Sequence, residues 1–141
     1  MSQKGKPQKI AVIGTTGKLG RETVLLLASR GIPTRCLLRH DIPDGTRASM
    51  KHSASAAEVA AFLSALEGVE MVRGDVTDAS SIENLLEGCT AVLSLQGPQR
   101  RSQLMDLFRD ASSQPNHAKQ INYVGVENII NAVKKSSTCN R

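Results

Sequence analysis

Three glycines near the amino terminus have the type and spacing of a phosphate-binding turn. Gly14, Gly17 and Gly20 follow the apolar run of residues 10–13, which is short enough to be a strand buried on both faces. The first glycine permits a sharp turn, the second lets backbone amides approach a pyrophosphate, and the third lets the next helix pack closely. The spacing predicts a dinucleotide site at residues 14–20, with a purely structural turn as the alternative.

A helix must follow this turn if its amides are to bind an anion, because unpaired N–H groups are gathered at a helix amino terminus. Leu19, Thr23, Leu26 and Leu27 recur at helical spacing and form the expected apolar face. The sequence therefore predicts the order strand, glycine turn and helix.

Arg39 ends the second predicted strand, residues 34–39, about 20 residues beyond the glycines. In dinucleotide-binding units this position meets the adenosine ribose, where a carboxylate selects a free 2'-hydroxyl and an arginine accommodates a 2'-phosphate. Arg39 thus favours NADP over NAD as the cofactor. The alternative is a solvated arginine at the end of a strand.

Further strands are indicated at residues 69–73 and 91–95, and amphipathic helices separate the strands. Asp78 is the expected cap of the third helix. This alternation predicts an α/β fold, a Rossmann-type parallel sheet in the order 3-2-1-4. The carboxyl edge of that sheet would bring together the glycine turn, Arg39, Asp75, Leu95, Gln96 and Gly97.

The segment of residues 97–118 lacks sustained periodicity and is longer than an ordinary strand-to-helix loop. Arg100 and Arg101 could bind an anion or act in a lid, although a solvated basic loop with a short helix at residues 104–108 is the favoured explanation. In the last predicted helix, Gly125 costs about 1 kcal/mol relative to alanine, which indicates a close packing contact.

The composition is that of one globular domain, with 40% hydrophobic and 22% charged residues in a chain of 141. We expect a flexible polar leader at residues 1–8 and the domain at residues 9–141. The net charge of +5 is a weak pointer to polyanions. A single tyrosine, two phenylalanines and no tryptophan argue against a dedicated single-strand nucleic-acid binder, and we expect no nucleic-acid partner. Three widely spaced cysteines and no apolar span predict reduced thiols and a cytoplasmic protein, with an organelle left open.

Over residues 9–136 the chain resembles the atypical and extended short-chain dehydrogenase/reductase superfamily, in particular its NmrA-like NAD(P)H-binding domains. Three motifs carry the resemblance: Gly14-x-x-Gly17-x-x-Gly20, Gly74-Asp75-Val76 and Asn122-x-x-Gly125-x-x-Asn128. The resemblance implies an adenine-lining turn at Asp75 and Val76, a 2'-phosphate contact at Arg39, and a proton-relay match at Asn122. The cofactor contacts it implies in the glycine turn are at Thr15, Thr16, Lys18 and Leu19.

The chain also departs from this superfamily. The catalytic Tyr-x-x-x-Lys lies on the fifth helix of relatives, whereas Tyr123 here is followed four positions later by Glu127, and Thr90 replaces an aspartate. We therefore expect no catalytic residue in this chain, and a sheet truncated before its fifth strand whose open edge favours self-association. Two functions remain: an NADP-dependent oxidoreductase of unknown substrate, completed by a further carboxyl-terminal half, or a noncatalytic dinucleotide sensor or assembly factor.

Overall fold

The computed structural model describes residues 8–96 and 123–139, where four strands and four helices alternate along the chain. The strands are β1 (Ile10–Ile13), β2 (Thr34–Leu38), β3 (Val69–Arg73) and β4 (Ala91–Ser94). The helices are α1 (Lys18–Ser29), α2 (Ala56–Ser64), α3 (Ala79–Leu86) and α4 (Val126–Lys135). The predicted basic segment at residues 97–118 and most of the polar leader lie outside the described residues.

The four strands form one parallel sheet in the order β3-β2-β1-β4. This confirms the predicted Rossmann-type topology. The first residues of the strands lie in register, since Ile10 pairs with both Thr34 and Ala91, and Thr34 pairs with Val69. The carboxyl ends of all four strands consequently finish at one edge, and the strand order reverses direction beside β1, where ligands bind in such sheets.

Each face of the sheet carries its own apolar cluster, because successive side chains of a strand point to opposite faces. Ala11 and Ile13 pack with α3 and α4 in one cluster, whereas Val12 packs with α1 and α2 in the other. Helices therefore cover both faces, which explains why β1 is apolar at every position. None of the described helices is long and apolar enough to cross a membrane.

The three cysteines belong to these clusters, and no disulfide joins them. Cys36 is fully buried on β2, and burial raises the pKa of its thiol to about 12. A thiol with such a pKa stays protonated at neutral pH and is a poor nucleophile. The expectation of reduced, structural cysteines agrees with this arrangement.

Helix α1 buries a different face from the one predicted. Gly20 and Val24 are its buried residues, and Leu27 packs beside them, whereas Leu19 and Leu26 are 64% and 52% exposed. The prediction was wrong because it took the buried face from the leucine spacing, whereas the close packing of Gly20 on the turn decides which face is buried. The helix approaches the sheet through Gly20, and this rotates Leu19 and Leu26 toward the outside.

Helices α2 and α3 begin at residues whose side chains cap them. Ser55 and Glu58 form a reciprocal capping box at α2, and the Asp78 carboxylate accepts a hydrogen bond of 3.1 Å from the Ser80 amide at α3. The predicted cap at Asp78 is confirmed. Hydrogen bonds from Ser80 and Ser81 hold the pKa of Asp78 below its ordinary value.

Candidate functional site

The site begins at Gly14, where the chain leaves β1 with a φ of +84°. A side chain at this position would be strained, and its Cβ would lie 2.7 Å from the carbonyl carbon of Leu95 and from the amide nitrogen of Gln96. The residues after β4 thus pack directly on the glycine turn. The structure therefore brings Leu95 and Gln96 to the predicted site, while Gly97 lies outside the described residues.

Gly17 and Gly20 differ in what surrounds them. A Cβ on Gly20 would overlap the Gly14 carbonyl oxygen, so Gly20 is required by the packing of α1 on the turn. A Cβ on Gly17 would lie 3.5 Å from that same oxygen, which is an ordinary contact. The fold therefore has room for a Cβ at Gly17, so packing within the chain does not require this glycine.

The amino terminus of α1 differs from those of α2 and α3. It starts after Gly17 without a side-chain cap, and its first turn contains no acidic residue. Its amides and the exposed Lys18 thus present positive charge at the carboxyl edge of the sheet. An anionic ligand would satisfy donors of the kind that Ser55 and Asp78 satisfy in α2 and α3, whereas α4 also begins without a side-chain cap.

The two threonines of the turn have different surroundings. Thr15 is only 2% exposed, and its hydroxyl donates a hydrogen bond of 3.4 Å to the Leu37 carbonyl, so only its backbone could meet a ligand. Thr16 is half-buried, and Leu19 is exposed directly after Lys18. Of the residues predicted to contact the cofactor in the turn, Thr15 could therefore do so only through its backbone.

The structure brings Arg39 and Asp75 together at the ends of β2 and β3. The Arg39 Nε atom lies 3.3 Å from Asp75 Oδ2, and both side chains are partly exposed. The other carboxylate oxygen of Asp75 accepts hydrogen bonds from the Thr77 amide and hydroxyl at 2.9 and 2.8 Å. The turn after β3 thus fixes Asp75, and Asp75 in turn orients Arg39 at the predicted ribose position.

The start of α4 closes the same edge of the sheet. Asn128 donates a hydrogen bond of 3.0 Å to the Val76 carbonyl, and Val76 itself is buried at 8% exposure. A Cβ on Gly125 would lie 3.1 Å from a Val76 methyl and 3.2 Å from the side-chain Nε2 atom of Gln96. The close packing contact predicted for Gly125 is confirmed, and Val76 serves the core and the anchoring of α4.

Sequence reasoning missed Arg21. Its guanidinium donates hydrogen bonds to the carbonyls of Thr16 and Gly17, at 3.1 and 3.4 Å, and so stabilises the glycine turn. Arginines are common on exposed helix faces, and no spacing rule singles this one out. The only local signal is the preceding residue, Gly20, which lets the first turn of α1 pack close to the backbone of the glycine turn.

Three other candidate residues, Arg100, Arg101 and Asn122, lie outside the described residues. Cys89 is buried before β4, at the amino-terminal edge of the sheet and so opposite the glycine turn. Within residues 8–96 and 123–139, no cluster of histidine, cysteine or carboxylate side chains is arranged to hold a metal ion.

The sequence model of the NmrA-like family matches residues 6–133, nearly the whole chain. The chain belongs to the NmrA-like family. An isoflavone reductase homologue of Zea mays is 33% identical over 108 residues, which are 74% of this chain and 32% of that protein. Membership and topology together make this chain a dinucleotide-binding, oxidoreductase-like Rossmann domain.

Solved structures with the same fold include an isoflavone reductase, AtPrR2 and a uronate dehydrogenase variant. A crystal structure of isoflavone reductase matches with a TM-score of 0.61 and 20% identity, over 95% of this chain and 34% of that one. AtPrR2 solved with NADP+ and (+)pinoresinol gives 0.62 and 21%, over 96% and 35%. A uronate dehydrogenase variant from Agrobacterium tumefaciens, complexed with NAD, gives 0.57 and 20%, over 90% and 36%. The NmrA-like chain spans about a third of the length of these relatives.

Proposed function

We propose that this NmrA-like chain binds NADP(H) across the carboxyl edge of its sheet, with the pyrophosphate on the amino terminus of α1. The observation that carries the proposal is the contrast between the three glycines: the fold requires Gly14 and Gly20 but leaves space at Gly17. A ligand phosphate close to the backbone accounts for that space. The absence of a side-chain cap on α1 supports the same placement.

The pyrophosphate would contact the backbone of the turn from Gly14 to Gly20, with Lys18 adding charge. The adenosine half would lie toward Arg39 and the turn at Asp75 and Val76, and the nicotinamide half toward Leu95 to Gly97. This assignment follows from the sheet, because β2 and β3 lie on one side of β1 and β4 lies on the other. The ligand would then cross the point where the strand order reverses.

The preference for NADP rests on Arg39. An arginine at the end of the second strand can pair with a 2'-phosphate through charge-assisted hydrogen bonds. Asp75 holds this arginine in place but also puts a negative charge near the proposed phosphate. AtPrR2 was solved with NADP+ and the uronate dehydrogenase variant with NAD, so structural likeness by itself leaves the choice to the residues.

In the whole protein, the proposed activity is NADPH-dependent reduction of a small molecule. A specific observation favours a second candidate, a noncatalytic dinucleotide sensor or assembly factor. Tyr123, the sole tyrosine of the sequence, is 65% exposed and is followed four positions later by Glu127, so it lacks the lysine that activates the catalytic tyrosine of the superfamily. We also predict that the chain self-associates through the edge of β4 opposite β1 and that its location is cytoplasmic.

The proposal is tested by titrating the full chain with NADPH in a calorimeter, beside the variants Gly17→Val and Ser29→Val. Valine at position 17 should abolish binding because its side chain occupies the pyrophosphate path, whereas the fold has room for it. Ser29→Val is the matched control, since it adds a β-branched residue at the exposed far end of α1. Binding by a folded Gly17→Val protein, judged by circular dichroism, would contradict the proposal.

A further inference from the structure

Arg21 connects two segments that are far apart in sequence. Its Nη2 and Nε atoms donate to the carbonyls of Thr16 and Gly17, and its Nη1 atom donates a hydrogen bond of 3.3 Å to the Lys51 carbonyl. Lys51 belongs to the connection between β2 and α2, residues 39–55. One guanidinium thus joins the glycine turn to a segment about thirty residues away, as its three donors diverge in a planar fork.

The β2–α2 connection is held at its other side by the core. Met50 and Ala54 pack against the apolar cluster under α1 and α2, and the Ala54 amide donates a hydrogen bond of 2.9 Å to the same Lys51 carbonyl. The Ser49 amide also bonds to the Glu58 carbonyl of α2 at 3.1 Å. The segment near Lys51 therefore packs against the core, and the hydrogen bonds of Arg21 link this segment to the glycine turn.

The backbone and the side chain of Arg21 both bond to the Gly17 carbonyl, which accepts the Arg21 amide at 3.0 Å and the Arg21 Nε atom at 3.4 Å. In a trans peptide the carbonyl and the next amide point in opposite directions. Because the Gly17 carbonyl points along α1, the Lys18 amide points out of the amino terminus of the helix, and the guanidinium adds a second bond that holds this peptide group. The Gly17 amide is already bonded to the Gly14 carbonyl at 3.3 Å, so the Lys18 amide is the donor that this arrangement directs outward.

We propose that Arg21 is a positioning residue of the dinucleotide site, which locks the glycine turn to the β2–α2 connection and so fixes the amides offered to the pyrophosphate. This inference rests on the proposed function. The Arg21 side chain would thus hold the connection around Lys51 in place beside the glycine turn before the ligand binds. Lysine at position 21 would keep the charge but could not reach three carbonyls in fixed directions.

The first experiment needs no ligand. Trypsin cleaves after Lys51 at the carbonyl that Arg21 holds, so the rate of cutting between Lys51 and His52 reports on the clamp. We expect Arg21→Lys and Arg21→Gln to be cut about fivefold faster than the unchanged chain, because the opened segment becomes more populated. Arg30→Gln, at the exposed end of the same helix, is the matched control and should be cut at the original rate. Equal rates for the unchanged chain and both Arg21 variants, all folded by circular dichroism, would overturn the inference.

The second experiment is NADPH titration of the same proteins. Both Arg21 variants should bind about tenfold more weakly than the unchanged chain, while Arg30→Gln keeps its affinity. Full affinity in Arg21→Lys would show that charge alone suffices, and that would overturn the positioning role. If the unchanged chain binds no NADPH, the proposed function fails, and the trypsin rates still decide whether Arg21 clamps the two segments.

Discussion

At the scale of single residues, the site depends on glycines, which have no side chain, and on the ion pair between Arg39 and Asp75. Gly20 is needed for packing, whereas Gly17 leaves a gap above the backbone that the folded chain itself does not use. Arg39 and Asp75 meet at 3.3 Å, so the arginine that would bind a 2'-phosphate is held by a carboxylate. Affinity for that phosphate is then a balance between the orientation Asp75 provides and the repulsion it adds.

Arg39→Ala should remove the preference for NADPH over NADH, because it deletes the group that pairs with the 2'-phosphate. We expect the ratio of the two affinities to fall by about tenfold, the lower end for a charge-assisted hydrogen bond, since the side chain is partly exposed. Calorimetric titration with both cofactors measures the ratio. Asp75→Asn should shift the ratio the other way, because it removes the repelling charge and keeps an oxygen for Thr77.

Equal affinities of the unchanged chain for NADPH and NADH would contradict this assignment of Arg39. Asp44→Asn serves as the control for Asp75→Asn, since Asp44 is an exposed carboxylate of the β2–α2 connection. It should leave the ratio unchanged. A ratio that moves equally in both variants would indicate a general charge effect and not a local one.

At the scale of elements, the three helices that follow β1, β2 and β3 start in different ways. Side chains cap α2 and α3, but α1 begins at a glycine turn with no side-chain cap. A capped helix has already satisfied some of its terminal donors, so its amino terminus attracts anions less strongly. Of these three helices only α1 lacks a side-chain cap, and its amino terminus lies where the strand order reverses.

The cap of α3 should make stability depend on pH in the acidic range. The pKa of the Asp78 carboxyl is lower in the folded chain than its unfolded value of about 3.9, chiefly through the Ser80 hydroxyl. Its contribution is therefore complete above the unfolded pKa and is lost as pH falls through the folded pKa. Asp78→Asn should lower the thermal midpoint at pH 7, and the difference should close below pH 4. A difference that persists at pH 2 would contradict this origin.

The sequence predicts some elements well, and the reasons are physical. Strand β3 and the buried stripe and cap of α3 follow directly from alternation, helical spacing and a capping aspartate, which all act locally. The buried face of α1 was mispredicted because backbone contact through Gly20 decided it, and hydrophobic spacing did not. The pairing of Arg39 with Asp75 and the reach of Arg21 to Lys51 join separate elements, so local patterns could not reveal them.

At the scale of the whole molecule, the described residues form a four-stranded Rossmann-type sheet, and the proposed cofactor site lies where its strand order reverses. Hydride transfer to a carbonyl also needs a positioned acid of suitable pKa within hydrogen-bond reach. Among the described residues at the carboxyl edge, none combines such a group with a partner that would activate it. Catalysis would therefore need an acid from outside the described residues.

This chain should accordingly bind NADPH without consuming it. NADPH absorbance is followed with a panel of quinones, aldehydes and ketones, and the rate should equal that of the protein-free mixture. Gly17→Val is the control, because it lacks the cofactor site that any enzymatic consumption needs. Steady consumption by the unchanged chain that Gly17→Val abolishes would refute the noncatalytic expectation and assign chemistry to residues of this chain.

The location of the dinucleotide site is the central claim, and an NMR titration of the nitrogen-15-labelled chain with NADPH tests it most directly. The account predicts shifts of backbone amides at the carboxyl edge of the sheet: Gly14 to Gly20, Arg39, Asp75, Val76, Leu95 and Gln96. Amides at the opposite edge, such as those of Gly88 and Cys89, should stay in place. An absence of shifts, or shifts concentrated at Gly88 and Cys89 with the glycine turn unchanged, would contradict the account.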